Sequence, residues 1–321
     1  MTVTAAIQTE KLTKRYGRGK RPALEDLDLT VNQGEIFGYL GPNGAGKTTT
    51  IRMLLDLIRP TSGRAFIFGM NVQAASEEVR RQVGYLPGEL NLWENQTGGR
   101  VIDYLGRLRG KVDKGYTQQL MDRLQFDPSK TVRSYSSGNR RKLGLILALM
   151  HRPNLLILDE PTNGLDPLMQ QTFHEMMREE KARGVTVFLS SHILSEVQAI
   201  CERVAILRDG KLRAVERVDA LTRVNFQWVQ VEFKAPMPAS RLADVPGVTE
   251  VTAEGNRLKF RLTGDFDPAL RAISDGYITR LETLEPTLEE IFLTYYEVKP
   301  SNGNGMNGVG KRPVAAMEVA K

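Results

Sequence analysis

The chain has 321 residues, 41% of them hydrophobic, which is material for one large domain with a true core plus a smaller one. A single cysteine, Cys201, excludes an internal disulfide and a cysteine-rich zinc site, and is expected to be a half-buried helix residue. The formal charge of +6 is spread along the chain and marks no nucleic-acid block, while the absence of a basic-then-apolar leader and of any apolar run near the ~18 residues of a membrane span predicts a cytoplasmic chain.

In chain order, Ile7 to Leu12 and Leu27 to Val31, with Gly34 as turn residue, read as edge β-hairpin material. Glu35 to Leu40 is mostly apolar and predicts a buried strand, and Thr49 to Leu55 predicts the start of a helix. Between them lies Gly41-Pro42-Asn43-Gly44-Ala45-Gly46-Lys47-Thr48, a complete P-loop in its required strand, loop and helix context. Glycines let the backbone N–H groups close on phosphates, and the following helix presents its positive end to the same anion. Lys47 then meets the outer phosphates as a point charge, and the Thr48 hydroxyl is placed to hold Mg²⁺. A nucleoside triphosphate is the expected ligand.

Further on, Tyr135-Ser136-Ser137-Gly138-Asn139 precedes a helix expected to begin near Arg140, so its N–H groups and hydroxyls can face an anion. The neighbouring Arg140-Arg141-Lys142 is the densest basic cluster, and its place after this segment favours phosphate-side or solvent duty. Leu155 to Leu158 is a buried parallel strand ending in Asp159 and Glu160. Two adjacent carboxylates at a strand end call for a nearby cation: Asp159 suits Mg²⁺, and Glu160 suits polarising a water. Thr186 to Leu189 forms another strand, followed by His192, whereas His151 and His174 lack a motif. From Phe226 the pattern changes to alternation, with Val229, Val231, Phe233 and then Leu258, Phe260, Leu262 separated by turns at Pro246-Gly247 and Glu254-Gly255-Asn256. This predicts a small α+β domain, in the order strand, helix, two strands, helix, strand. Pro286-Thr287-Leu288-Glu289-Glu290 opens an amphipathic last helix, and 301–321 reads as a disordered tail.

Together, the P-loop, the 135–139 segment, the Asp159-Glu160 strand end, Pro161-Thr162-Asn163-Gly164-Leu165-Asp166 and His192 resemble ATP-binding cassette (ABC) ATPases in order and spacing over roughly the first 220 residues. The resemblance implies a P-loop NTPase fold of α/β class with an antiparallel β subdomain and a helical subdomain in 1–221. A small α+β accessory domain in 222–298 and the tail in 299–321 follow. It implies that Tyr16 stacks on adenine, that Gly41 to Thr49 hold the phosphates and Mg²⁺, that Glu160 is the catalytic base, and that His192 contacts the γ-phosphate. The 135–139 segment corresponds to the signature motif, which in this family faces the P-loop of a partner subunit, and Asp166 belongs to the loop joining the two halves. Two ATP molecules are thus expected between two ATPase subunits, with Lys47, Glu160 and His192 carrying catalysis.

The chain departs from the family pattern at three positions. Ser137 stands where glycine is usual and Asn139 where glutamine is usual, both of which keep donors in place. Gly88 stands where the family has the glutamine that touches Mg²⁺ and the water; either the adjacent Glu89 substitutes as a metal contact or the contact is missing, and Gln96 comes too late. The segment from Leu284 to Phe292 resembles the C-terminal extension of drug-resistance-type exporter ATPases of bacteria and archaea. The expected function is therefore the ATPase subunit of an ABC exporter. Its partners would be a second ATPase subunit and an integral-membrane permease docking near Glu89 to Tyr104, at the cytoplasmic face of the cell membrane, with no nucleic acid. The alternatives are a soluble ABC ATPase acting on nucleic acid or ribosomes, whose relatives usually carry two cassettes or a long coiled coil absent here, and a regulatory cassette with weak hydrolysis.

Overall fold

Residues 4–17, 21–110, 112–221 and 226–284 are described by the computed structural model of the chain. It opens with β1 (Ala5–Lys14), β2 (Leu24–Asn32), β3 (Ile36–Leu40), α1 (Lys47–Leu54), β4 (Ser62–Ile67), β5 (Met70–Asn71), α2 (Ser76–Gln82) and β6 (Val83–Leu86). Three helices follow, α3 (Gly98–Arg109), α4 (Lys114–Arg123) and α5 (Ser137–Leu149). Then come β7 (Leu155–Asp159), α6 (Pro167–Ala182), β8 (Thr186–Ser191), α7 (Leu194–Ile200), β9 (Arg203–Arg208), β10 (Lys211–Arg217) and the short α8 (Val218–Leu221).

The six-stranded sheet has the order β10-β9-β3-β8-β7-β6. Its inner strands are parallel, and only β10 runs antiparallel to its neighbour. All five residues of β3 and all five of β7 are buried, as a strand covered on both faces requires. Their side chains alternate between two cores. Ile36, Leu40, Leu156 and Leu158 face the core shared with α5 and α6, while Phe37, Tyr39, Leu155 and Ile157 face that shared with α1 and the antiparallel sheet.

That second sheet has the order β2-β1-β4-β5. β1 is therefore not the edge strand its sequence suggested, because β4 pairs with its other side. The helical layer is fastened to the sheet domain by polar contacts: Tyr116 donates to Glu180 at 2.8 Å, Arg123 pairs with Glu179, and the Arg152 guanidinium stacks 4.0 Å from the Tyr116 ring centroid. Burial and the Glu180 carboxylate push the Tyr116 hydroxyl up to about 12, so it stays a donor at neutral pH.

The second unit is an antiparallel sheet of β11 (Phe226–Phe233), β12 (Val248–Glu254), β13 (Arg257–Thr263) and β14 (Ile278–Leu284), ordered β12-β13-β11-β14, with α9 (Asp267–Ala272) between the last two strands. One sheet face carries Val229, Val231, Phe233, Leu258, Phe260 and Leu262 into a core closed by Leu242, Ala269 and Ile273. The expected alternation thus sets the register of β11 against β13, and the first expected helix is a single 3₁₀ turn, Ala239–Leu242. The boundary at 222, the helix expected from Pro286 and the tail lie outside the described residues.

Candidate active site

Three adjacent parallel strands end at one place, as ligand sites of open α/β sheets do. Leu40 of β3 is in register with Ser191 of β8, and Ser190 of β8 with Asp159 of β7, so the P-loop, the carboxylate pair and His192 all leave the same sheet edge. The P-loop is anchored to that edge by Gly41 N–H donating to the Ser191 carbonyl at 3.3 Å and by Gly210 N–H donating to the Ala45 carbonyl at 3.1 Å. Gly46, the cap of α1, has φ +109°, and a Cβ there would lie 2.5 Å from the Ala23 carbonyl oxygen. Gly46→Ala is accordingly expected to lower the melting temperature through backbone strain of about 1–3 kcal/mol and to weaken nucleotide binding. A thermal melt and nucleotide titration matching the unaltered protein would contradict it.

Within this frame the charged groups converge. Lys47 Nζ, almost fully buried, donates to the Gly41 carbonyl at 2.6 Å and lies 3.3 Å from Glu160 Oε1. His192 Nδ1 lies 2.7 Å from the other oxygen, Oε2, of the same carboxylate. Thr48 donates to Asp159 Oδ2 at 2.8 Å, and the Ser190 hydroxyl donates to Asp159 Oδ1, so both oxygens of a carboxylate only 1% exposed accept hydroxyl hydrogen bonds. Glu160 holds a left-handed backbone, φ +51°, an uncommon conformation for a non-glycine residue that turns the chain between Asp159 and the following loop. Thr50, by contrast, points inward to Tyr39 and the Gly46 carbonyl and has a packing role.

The remaining expected site residues take separate places. Tyr16 is 47% exposed with Lys14 Nζ 5.2 Å from its ring centroid. Pro42, Asn43 and Gly44 are exposed and Thr49 is half-buried, beside a buried Ala45. In the signature segment, helix α5 begins at Ser137, three residues before the expected Arg140, because the Ser136 side chain caps it by accepting from Asn139 N–H at 3.3 Å. Ser136 and Ser137 are exposed and Gly138 and Asn139 half-exposed, while Tyr135 is core, donating to the Asp127 carbonyl. Gly138 lets the segment touch the 161–166 loop: a Cβ there would lie 2.6 Å from the Gly164 carbonyl oxygen. Asp166 is exposed and caps α6, accepting from Met169 N–H. Glu89 is exposed, and it is Gly88 that faces the site, its Cβ position lying 3.2 Å from Asp159 Oδ2.

Sequence reasoning passed over two residues and misplaced two others. Ser190 orients Asp159, and Glu196 accepts from the hydroxyls of Thr162 and Ser191, bracing both loops. Arg141, read as phosphate-side or solvent-facing, is in fact buried, donating to the carbonyls of Pro87 and Gly88 at 2.8 Å each. Cys201 likewise is buried just past α7, where burial pushes its thiol up, so it is an inert filler.

Residues 24–163 match the family model described as ABC transporter, and residues 222–296 match that described as ATP-binding protein DrrA1-3-like, C-terminal domain. The bacitracin transport ATP-binding protein of Bacillus licheniformis is 39% identical over 72% of this chain and 76% of its own. The chain belongs to the ABC transporter ATP-binding family. The bacitracin transport ATP-binding protein of Enterococcus faecalis extends the likeness to 91% of this chain and 96% of its own, at 31% identity. A solved ATP-binding subunit of an ABC transporter superposes with a TM-score of 0.62 at 30% identity, covering 68% of this chain and 92% of that one. The ABC ATPase fold and the ATPase subunit of a transporter are thereby the reading of this chain, in preference to an ATPase acting on nucleic acid or ribosomes. Among the described residues no helix is long and apolar enough to cross a membrane.

Proposed function

We propose that the chain hydrolyses ATP as one of two identical subunits that close around two nucleotides and drive export through a separate integral-membrane permease, at the cytoplasmic membrane face. The observation that carries this reading is Glu160 held between Lys47 at 3.3 Å and His192 at 2.7 Å, beside the Thr48–Asp159 pair. In it, Glu160 accepts the proton of the attacking water, His192 fixes the carboxylate and reaches the γ-phosphate, and Lys47 neutralises charge growing on the phosphate oxygens. Tyr16 offers its exposed ring to adenine. Ser136, Ser137, Gly138, Asn139 and Asp166 lie at exposed or half-exposed positions suited to the nucleotide of the second subunit.

The donor set of Thr48 and Asp159 fits Mg²⁺. No group of three or more metal-binding His, Cys, Asp or Glu side chains occurs among the described residues, so the cation's remaining ligands would be phosphate oxygens and water, which Mg²⁺ favours. When bound, it would neutralise charge on the phosphates. Glu89 is the candidate additional contributor, acting from its exposed position through water. Glu89→Ala is then expected to raise the Mg²⁺ concentration needed for half-maximal turnover, and a titration superimposable on that of the unaltered protein would exclude Glu89 from the site.

The permease is proposed to dock on the surface from Glu89 to Tyr104. Trp93 and Tyr104, both about half exposed, pack edge to face at 5.2 Å and line a cleft of about 430 Å³ with Gln96, Arg100 and Val101. Exposed aromatics around a cleft suit an anchor from a partner. The test is to assemble the chain with a multispan membrane protein encoded beside it, in inverted vesicles, with a peptide antibiotic as first cargo. ATP-dependent accumulation is expected; full hydrolysis with no association to any membrane subunit would favour a soluble ATPase.

A further inference from the structure

Gly88 has no side chain with which to meet Asp159, so the loop that leads from β6 to the exposed Trp93 must be tied to the hydrolytic site some other way. Arg141 supplies that tie. Its Nη1 donates to the Pro87 carbonyl and its Nη2 to the Gly88 carbonyl, each at 2.8 Å. The same guanidinium reaches the Asp159 carbonyl at 3.4 Å through Nη1 and the Asn163 carbonyl at 3.5 Å through Nε. One side chain, only 7% exposed, therefore bridges the loop after β6, the end of β7 and the loop before α6. Burial lowers the proton affinity of this guanidinium, and the carboxylates of Asp159 and Glu160 oppose that loss, so its charge and theirs share one field.

The far end of the loop is fastened as well. Val132 N–H donates to the Gln96 carbonyl, Arg133 N–H to the Glu94 carbonyl and Gly98 N–H to the Lys130 carbonyl. Both ends of the stretch that bears Trp93 are thus held by hydrogen bonds. The geometry points to Arg141 as the positioning residue that couples nucleotide at Asp159 and Glu160 to the Trp93–Tyr104 surface, replacing through backbone carbonyls a side-chain contact that Gly88 cannot make. This rests on the ATPase reading above. It makes Arg141 distinct from Arg140, whose guanidinium stays at the surface 4.0 Å from Glu94, where an ion pair contributes little.

The chain contains two tryptophans, Trp93 and Trp228, so a Trp228→Phe background leaves Trp93 as sole reporter. In the full-length chain, Mg-ATP is expected to shift Trp93 emission. Arg141→Met should abolish that shift while ATP affinity, followed with a fluorescent nucleotide, stays within about threefold. Arg141→Lys, a point charge unable to span the carbonyls on both sides, should retain a reduced shift. Should Arg141→Met prove unfolded in a thermal melt, Arg141→Lys decides alone. A full Trp93 shift in a folded Arg141 variant, or bound ATP with no shift in the Trp228→Phe parent, would overturn the coupling role. Failure of the parent to bind ATP at all would instead overturn the ATPase reading, and this inference with it.

Discussion

Replacing Glu160 by glutamine should slow phosphate release by roughly 10²–10⁴-fold, the usual contribution of a positioned general base, while ATP remains bound. Glutamine matches the carboxylate in size and can still accept from His192 Nδ1, which now lies 2.7 Å from Glu160 Oε2. What it lacks is the capacity to take a proton from water. It also removes one negative charge 3.3 Å from Lys47, leaving the pocket more positive and more welcoming to a triphosphate. Bound ATP that is not consumed should hold two subunits together, so light scattering should show an ATP-dependent dimer that the unaltered protein populates only transiently. Phosphate release at the normal rate would remove Glu160 from the role of base.

The second large effect is expected for Lys47→Ala. In the resting site Lys47 is the cation beside Glu160, and its ammonium is satisfied by the Gly41 carbonyl. Without it, Glu160 loses the ammonium 3.3 Å from its Oε1, and charge developing on the phosphate oxygens loses a buried counter-charge. Turnover should fall about 10²–10³-fold, the scale seen when one preorganised electrostatic partner is removed, and ATP affinity should fall with it. The fold should survive, because α1 is held by Ile51, Met53 and Leu54 rather than by Lys47. Calorimetric titration beside a thermal melt separates the two, and ATP bound at full affinity by a well-folded variant would count against the assignment.

How far the sequence could be read depended on whether a role is local in the chain. The P-loop, Thr48 and the Asp159-Glu160 pair were legible because phosphate and metal chemistry demands those residues at fixed short spacing. His192 was legible only through its place after a strand within the family pattern. Arg141 was not, since its meaning comes from carbonyls 18 to 54 positions away, and a basic triplet at a helix start reads equally well as a solvated face. The start of α5 was misplaced because Ser137, Gly138 and Asn139 are poor helix formers, although Ser136 with its cap bond to Asn139 sets the first turn. β1 was taken for an edge because alternation reports which face is buried and says nothing about whether a third strand, here β4, pairs on the open side. In the second unit the alternation sufficed for β11 and β13, whose one buried face fixes their mutual register, whereas β12 and β14 pair with register shifts and bury no alternating face.

The shared register of β3, β8 and β7 acts as a ruler for everything hung from its end. Leu40, Ser191 and the Asp159–Ser190 pair are graduations on one hydrogen-bonded ladder, and His192 and the P-loop begin one step beyond. Tolerance to insertion should therefore be uneven along the chain. An extra residue at the exposed turn of Gly69, between β4 and β5, can be absorbed without disturbing any graduation. One extra residue within β8 inverts the facing of every side chain after it, carrying His192 away from Glu160 even if the strand still pairs. Engineering of this cassette can be generous in its connections and must leave the lengths of its three central strands untouched.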